Sequence, residues 1–182
     1  MKNVLTKLAL MGAFFTSTSI FALQGLNVIT ITTDDPQDYV EWLTESQAVF
    51  QAAQGDNQSA QGICSPSAGG VYTNEHYVWT IAPSISAMMS NSDFFTEKEV
   101  AKALRKIANK REIVRRDSMY VIKEAEIDGV GVTNAQYNLT SRTNNVQAYA
   151  NALTAMEEAA AANGFDDIRV ALFGSLAGGD RA

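Results

Sequence analysis

The chain has 182 residues, with 14 basic and 20 acidic side chains and one histidine. Setting aside Lys2 and Lys7 leaves 12 basic residues against 20 acidic, a net charge of −8 that repels polyphosphate and makes nucleic acid a poor partner. A lone cysteine, Cys64, excludes an internal disulfide framework, and the length suffices for a hydrophobic core without one.

The first 22 residues read as a secretory signal. Lys2 and Lys7 give a positive start, Leu8 to Phe15 a short apolar run, and Ile20-Phe21-Ala22 a cleavage site after Ala22. The run is too short to span a bilayer, and no later segment is long enough. Export to the bacterial periplasm or beyond the cell is therefore expected, with an N-terminal buried helix as the competing reading.

Asn27 to Thr33 is rich in β-branched residues and predicts a strand. Asp34-Asp35-Pro36 supplies a cap and a first-turn proline for a helix over Pro36 to Gln54, with Tyr39, Trp42, Leu43, Val49, Phe50 and Ala53 on a broad apolar face. Gly55-Asp56-Asn57 ends it. Strands are predicted over Ala60 to Ser65 and, after Gly69-Gly70, over Val71 to Ile81. Pro83 to Ser92 reads as a loop or short helix. A second long helix is predicted from Thr96 to Arg111, on the capping-box spacing Thr96-x-x-Glu99. Ser118 to Lys123 completes β-α-β-β-α-β, an α+β ferredoxin-like order, over 26–125. A linker at 126–134 follows.

The opening then returns. Gln37-x-Tyr39-x-x-x-Leu43-Thr44 matches Gln147-x-Tyr149-x-x-x-Leu153-Thr154, and Thr30 and Thr33 match Thr140 and Thr143, at an offset of 110. One residue out of step, Ser67-Ala68-Gly69-Gly70 becomes Leu176-Ala177-Gly178-Gly179. The expectation is a partial second unit over 135–182: strand Gln136 to Ser141, helix Val146 to Asn163, strand Ile168 to Phe173. Its other half is expected beyond Ala182 in a longer chain, or replaced by a partner such as a second copy.

Few residues point to chemistry. His76 is the one candidate acid–base group, and its plainer reading is a packed strand residue. No cluster of histidines and cysteines has metal-ligand spacing, so no metal is expected. Neither glycine pair is followed by the Lys-Ser or Lys-Thr of a phosphate loop, and G-x-S-x-G does not occur; no cofactor is expected. Cys64 reads as a small buried hydrophobe. Lys98, Lys102, Lys106 and Lys110 read as a solvated helix face, and the triplets Asn57-Gln58-Ser59 and Asn138-Leu139-Thr140 as chance matches to a glycosylation site. The remaining signal is aromatic: Tyr39 and Trp42 with Tyr72, Tyr77 and Trp79 are expected either to pack as core or to line an apolar small-molecule pocket between helix and sheet.

The element order, begun a second time, resembles tandem members of the dimeric α/β-barrel superfamily, which includes antibiotic-biosynthesis-monooxygenase-like and stress-responsive barrel domains. The resemblance rests on pattern, without a diagnostic motif. It implies two ferredoxin-like units whose sheets close a barrel, in a group that ranges from cofactor-free oxygenases to haem-degrading enzymes, dismutases and members without known activity. Three functions follow as expectations: an exported module binding a small apolar ligand; a cofactor-independent monooxygenase with His76 as base and Tyr or Trp as wall; an assembly module.

Overall fold

A computed structural model describes residues 23–125 and 138–178. The expected signal peptide and the linker at 126–134 lie outside the described residues.

Strand β1 (Gly25–Thr32) leads into α1 (Pro36–Gln54), whose bounds are those the sequence predicts. Asp35 fixes its start: the side chain accepts the Asp38 N–H at 3.1 Å. Gly55, at φ +55°, ends it. Then come β2 (Ala60–Cys64), β3 (Glu75–Ala82), the short α2 (Ile85–Ser90), a 3-10 stretch (Asn91–Thr96), α3 (Lys98–Ile107) and β4 (Glu112–Lys123). The four strands align antiparallel as β2-β3-β1-β4, the order of a ferredoxin-like α+β fold.

Helix α3 ends at Ile107, four residues before the expected Arg111, and three other bounds differ from expectation for identifiable reasons. Residues 71–74 belong to a loop before β3, because the Val71 and Tyr72 N–H groups bond the Glu75 carboxylate instead of a neighbouring strand. Thr96 does not cap α3; its hydroxyl donates to the Asp93 carbonyl and closes the preceding 3-10 turn. β4 starts six residues early because Arg115, Arg116 and Asp117 are paired ladder residues whose charge hides the strand pattern.

Helices α1 and α3 pack on one face of the sheet. The core there joins Ile31 and Val78 from the strands to Tyr39, Trp42 and Phe50 of α1 and Val100, Ala103 and Ile107 of α3. Aromatic rings run in series, Tyr39–Trp42 at 5.0 Å, Trp42–Phe50 at 5.6 Å and Phe50–Phe94 at 5.6 Å. The buried Trp42 indole donates to the Ala103 carbonyl at 2.9 Å, so its one polar group is satisfied. The Arg111 guanidinium stands 5.4 Å from the Tyr39 ring and 5.7 Å from that of Trp42 and bonds the Tyr39 hydroxyl.

The rest of the chain adds α4 (Val146–Ala162) and β5 (Leu172–Ala177). β5 pairs antiparallel with β4, extending the sheet to β2-β3-β1-β4-β5. The strand expected over Gln136 to Ser141 is not formed by 138–141, which are irregular, and 136–137 lie outside the described residues. The strand expected over Ile168 to Phe173 is displaced to Leu172–Ala177, where β4 offers its free edge. A register shift between Val121 and Lys123 turns Lys123 to the side of Leu172, where its ammonium bonds Glu157 of α4 at 2.5 Å and the Val170 carbonyl at 2.8 Å. No described helix is long and apolar enough to cross a membrane.

Candidate functional site on the helix-free face of the sheet

Alternation along the strands divides the sheet residues between two faces. Ile29 and Ile31 pair with Val78 and His76 and look toward α1 and α3. The intervening positions make the other face: Leu26, Val28 and Thr30 on β1, Glu75, Tyr77, Trp79 and Ile81 on β3, and Arg115, Asp117, Met119 and Val121 on β4. The described helices are anchored on the first face, α2 through Met88 against Gly25 and α4 through Lys123.

This helix-free face is graded. At one end lie ionisable groups, of which Glu75 and Asp117 are buried and Tyr77 and Arg115 half-buried. Glu75, 4% exposed, accepts the Tyr77 hydroxyl on Oε1 and two backbone N–H groups on Oε2. Burial alone would raise the Glu75 pKa. The hydrogen bonds from Tyr77, Tyr72 and Val71, with the Arg115 charge, outweigh it and hold the carboxyl below the usual range. Tyr77 is pushed up to about 12 by burial, by its bond to Glu75 and by that negative charge. Arg115 Nε bonds Asp117 Oδ2 at 2.8 Å. Beyond this cluster the rows turn apolar: Trp79, Ile81, Val28, Leu26, Met119 and Val121. The Trp79 indole lies flat on β2 at Gly62, where any side chain would run into the ring.

The five aromatics expected to line one pocket are split by the sheet. Tyr39 and Trp42 are core residues under α3; burial, offset in part by the Arg111 charge and hydrogen bond, raises the Tyr39 pKa. Tyr77 and Trp79 stand on the opposite face. Tyr72 is in the exposed β2–β3 loop. No pocket between helix and sheet joins all five, because a strand sends neighbouring side chains to opposite sides.

His76 is buried at the hairpin mouth, on the helix side, with its Nδ1 2.8 Å from Ser65 Oγ. Burial lowers its pKa, an effect the Glu75 charge partly offsets. It is a packed residue on the face away from Tyr77 and Trp79, so those two rings do not form a wall beside it.

An open cleft of about 930 Å³ lies at the end of the sheet, lined by Asp34, Asp35, Tyr72, Lys110, Arg111 and Glu112 among others. Its lining is polar, unlike the apolar pocket expected. Among the described residues no group of three His, Cys, Asp or Glu side chains is placed to hold a metal ion.

Glu75, Arg115 and Asp117 escaped sequence reading. A signal existed in the stripes Glu75-x-Tyr77-x-Trp79-x-Ile81 and Arg115-x-Asp117-x-Met119-x-Val121, each charged at the start and apolar at the end.

No protein-family model and no curated protein matches the chain. Among solved structures, the crystal structure of MupZ from Pseudomonas fluorescens aligns with a TM-score of 0.33 and 10% identity, covering 52% of this chain and 69% of that one.

Proposed function

We propose that the chain is an exported small-ligand-binding module whose ligand lies on the helix-free face of the sheet. The observation that carries this is the gradient on that face: half-buried apolar side chains around Trp79 run into the cluster of Glu75, Tyr77, Arg115 and Asp117. An apolar surface with a few fixed polar groups is the usual make-up of a small-molecule site. The fitting ligand is amphipathic, with a flat or aliphatic body over Trp79 and a polar end toward Arg115.

The chain has two tryptophans, so a Trp42→Phe protein reports on Trp79 alone. Titrating it with the planar anionic dye anilinonaphthalene sulfonate should give saturable energy transfer from Trp79 and raise the thermal midpoint. No transfer from Trp79, together with an unmoved midpoint, removes the proposal.

A second reading, assembly with another sheet, is favoured by the edges at β2 and β5, unpaired among the described residues, and by exposed Phe173 and Leu176. It fits a tandem barrel of the dimeric α/β kind, in which α4 and β5 belong to a second ferredoxin-like unit. Matching hydrogen bonds at the 110-residue offset support that origin. Asp35 N bonds Thr33 Oγ1 at 3.2 Å and Asn145 N bonds Thr143 Oγ1 at 3.0 Å. Gln37 reaches Glu41 at 3.1 Å and Gln147 reaches Asn151 at 2.9 Å. Light scattering of 23–182 separates the readings: a dimer whose formation quenches dye binding favours assembly.

A further inference from the structure

The β2–β3 loop, residues 65–74, is largely exposed, yet one buried carboxylate organises its second half. Glu75 Oε2 accepts the Tyr72 N–H at 2.9 Å and the Val71 N–H at 3.1 Å. Gly70 passes so close that a side chain there would sit 3.1 Å from Oε1. The loop is tied elsewhere by neutral donors. Asn74 Nδ2 bonds Asp34 at 2.9 Å, the Asn74 carbonyl accepts the Thr33 N–H at 3.1 Å, and Ser65 meets His76 at the hairpin mouth. Between those two ends, the Glu75 carboxylate ties the loop to the sheet.

We infer that this loop is a strap, closed over the end of the helix-free face by the Glu75 carboxylate and opened when that carboxylate takes up a proton. An ionised carboxylate accepts at both oxygens. Protonation removes the charge that both N–H bonds are made to: a proton on Oε2 faces the two N–H groups directly, and a proton on Oε1, accepted by the Tyr77 hydroxyl once that hydroxyl turns, leaves them one neutral carbonyl oxygen to share. Two backbone N–H groups then turn to water, and nothing apolar holds Val71, which is 78% exposed.

The charged and titratable groups around Glu75 set the direction. On β3, Tyr77 donates to it and His76 points to the other face. On β4, Arg115 attracts it while bonded to Asp117, and Glu112 lies in the same row across Thr32. β1 presents only Thr30 and Thr32. The β1–α1 turn brings Asp34, engaged with Asn74, and the cleft beyond Tyr72 carries Lys110 and Arg111. The Glu75 carboxyl is held below its ordinary value, so the strap is closed at neutral pH. It opens as pH falls below the ordinary carboxylate range, about 4.3. This device is independent of what occupies the helix-free face.

Hydrogen exchange of the full chain, corrected for intrinsic rates at each pH, tests it. The Val71 and Tyr72 amides should be protected at pH 7 and lose protection in acid before the amides of β1 and β3 do. Glu75→Gln should cut protection at those two amides by about tenfold or more at pH 7. Unchanged protection in that variant overturns the inference. Should Glu75→Gln fail to fold, Tyr77→Phe decides. It keeps the carboxylate and both N–H bonds but removes a donor that stabilises the charge, so the opening midpoint must move to higher pH. An unmoved midpoint overturns the strap.

Discussion

Helices α1 and α4 begin alike and end in different surroundings. Both start behind a threonine whose hydroxyl accepts the cap residue's N–H, and both carry a cap side chain that accepts from the third residue on, at 3.1 and 2.9 Å. A threonine hydroxyl bonds the carbonyl four residues back in each, Thr44 to Val40 and Thr154 to Ala150. Yet α1 buries Tyr39, Trp42, Ser46 and Phe50, while α4 buries only Ala150. At the positions of Trp42, Ser46 and Phe50, α4 has Ala152, Met156 and Ala160, and Met156 is 53% exposed. The difference is the neighbour. α1 lies against α3 and the aromatic series, whereas α4 is tied through the Lys123–Glu157 pair and the Val170 N–H bond to Glu157. Local hydrogen bonding sets where a helix starts; a partner surface decides how firmly it is held.

The largest effect that would sharpen this contrast is in the α1 core. Phe50→Ala removes a ring from between Trp42 and Phe94 and should cost about 3–5 kcal/mol in chemical denaturation. A loss under 1 kcal/mol would mean that the aromatic series is not the centre of the fold.

The caps come next. Asp35→Ala should cost about 1 kcal/mol of global stability, because α1 unfolds with the core. Asn145→Ala should leave the global transition nearly unmoved and raise amide exchange within α4 alone. Equal effects on the main transition would make the two helices one cooperative unit and break the comparison.

The smallest expected effect is electrostatic. The hydrogen bond from Lys123 holds the Glu157 carboxyl below its ordinary value, with the Val170 N–H adding to it and burial opposing. A depressed carboxyl contributes stability above its unfolded pKa, about 4.3, and loses it as pH falls through the folded value. Protection of α4 should therefore decline in acid, and Lys123→Met should weaken that dependence at a cost under about 1 kcal/mol. An α4 whose exchange ignores both acid and Lys123→Met would show that another contact holds it.

How far the sequence could be read follows from where each signal resides. The bounds of α1 were legible because Asp35, Pro36 and Gly55 act within a few residues of the backbone they shape. The start of β4 was hidden because Arg115 and Asp117 are charged, and only the partner strand shows that they belong to the ladder. His76, Tyr77 and Trp79 were legible as strand residues. The company each keeps was not, since Tyr39 and Trp42 lie nearly forty residues away, on the side of the sheet that His76 shares and Tyr77 and Trp79 do not. The hold of Glu75 on the loop was hidden, because both N–H groups it binds come from residues that read as strand.

By itself the sequence determined the order of helices and strands as far as β4, the start of α1 and the resemblance between the two helical segments, since these depend on short-range sterics and hydrogen bonding. Only the tertiary structure decided that β5 joins the edge of β4, that one face of the sheet carries the helices, and that Glu75, Tyr77, Arg115 and Asp117 gather on the other. Those outcomes depend on which strand edges meet and on the alternation of side chains across paired strands, and no stretch of chain contains both partners.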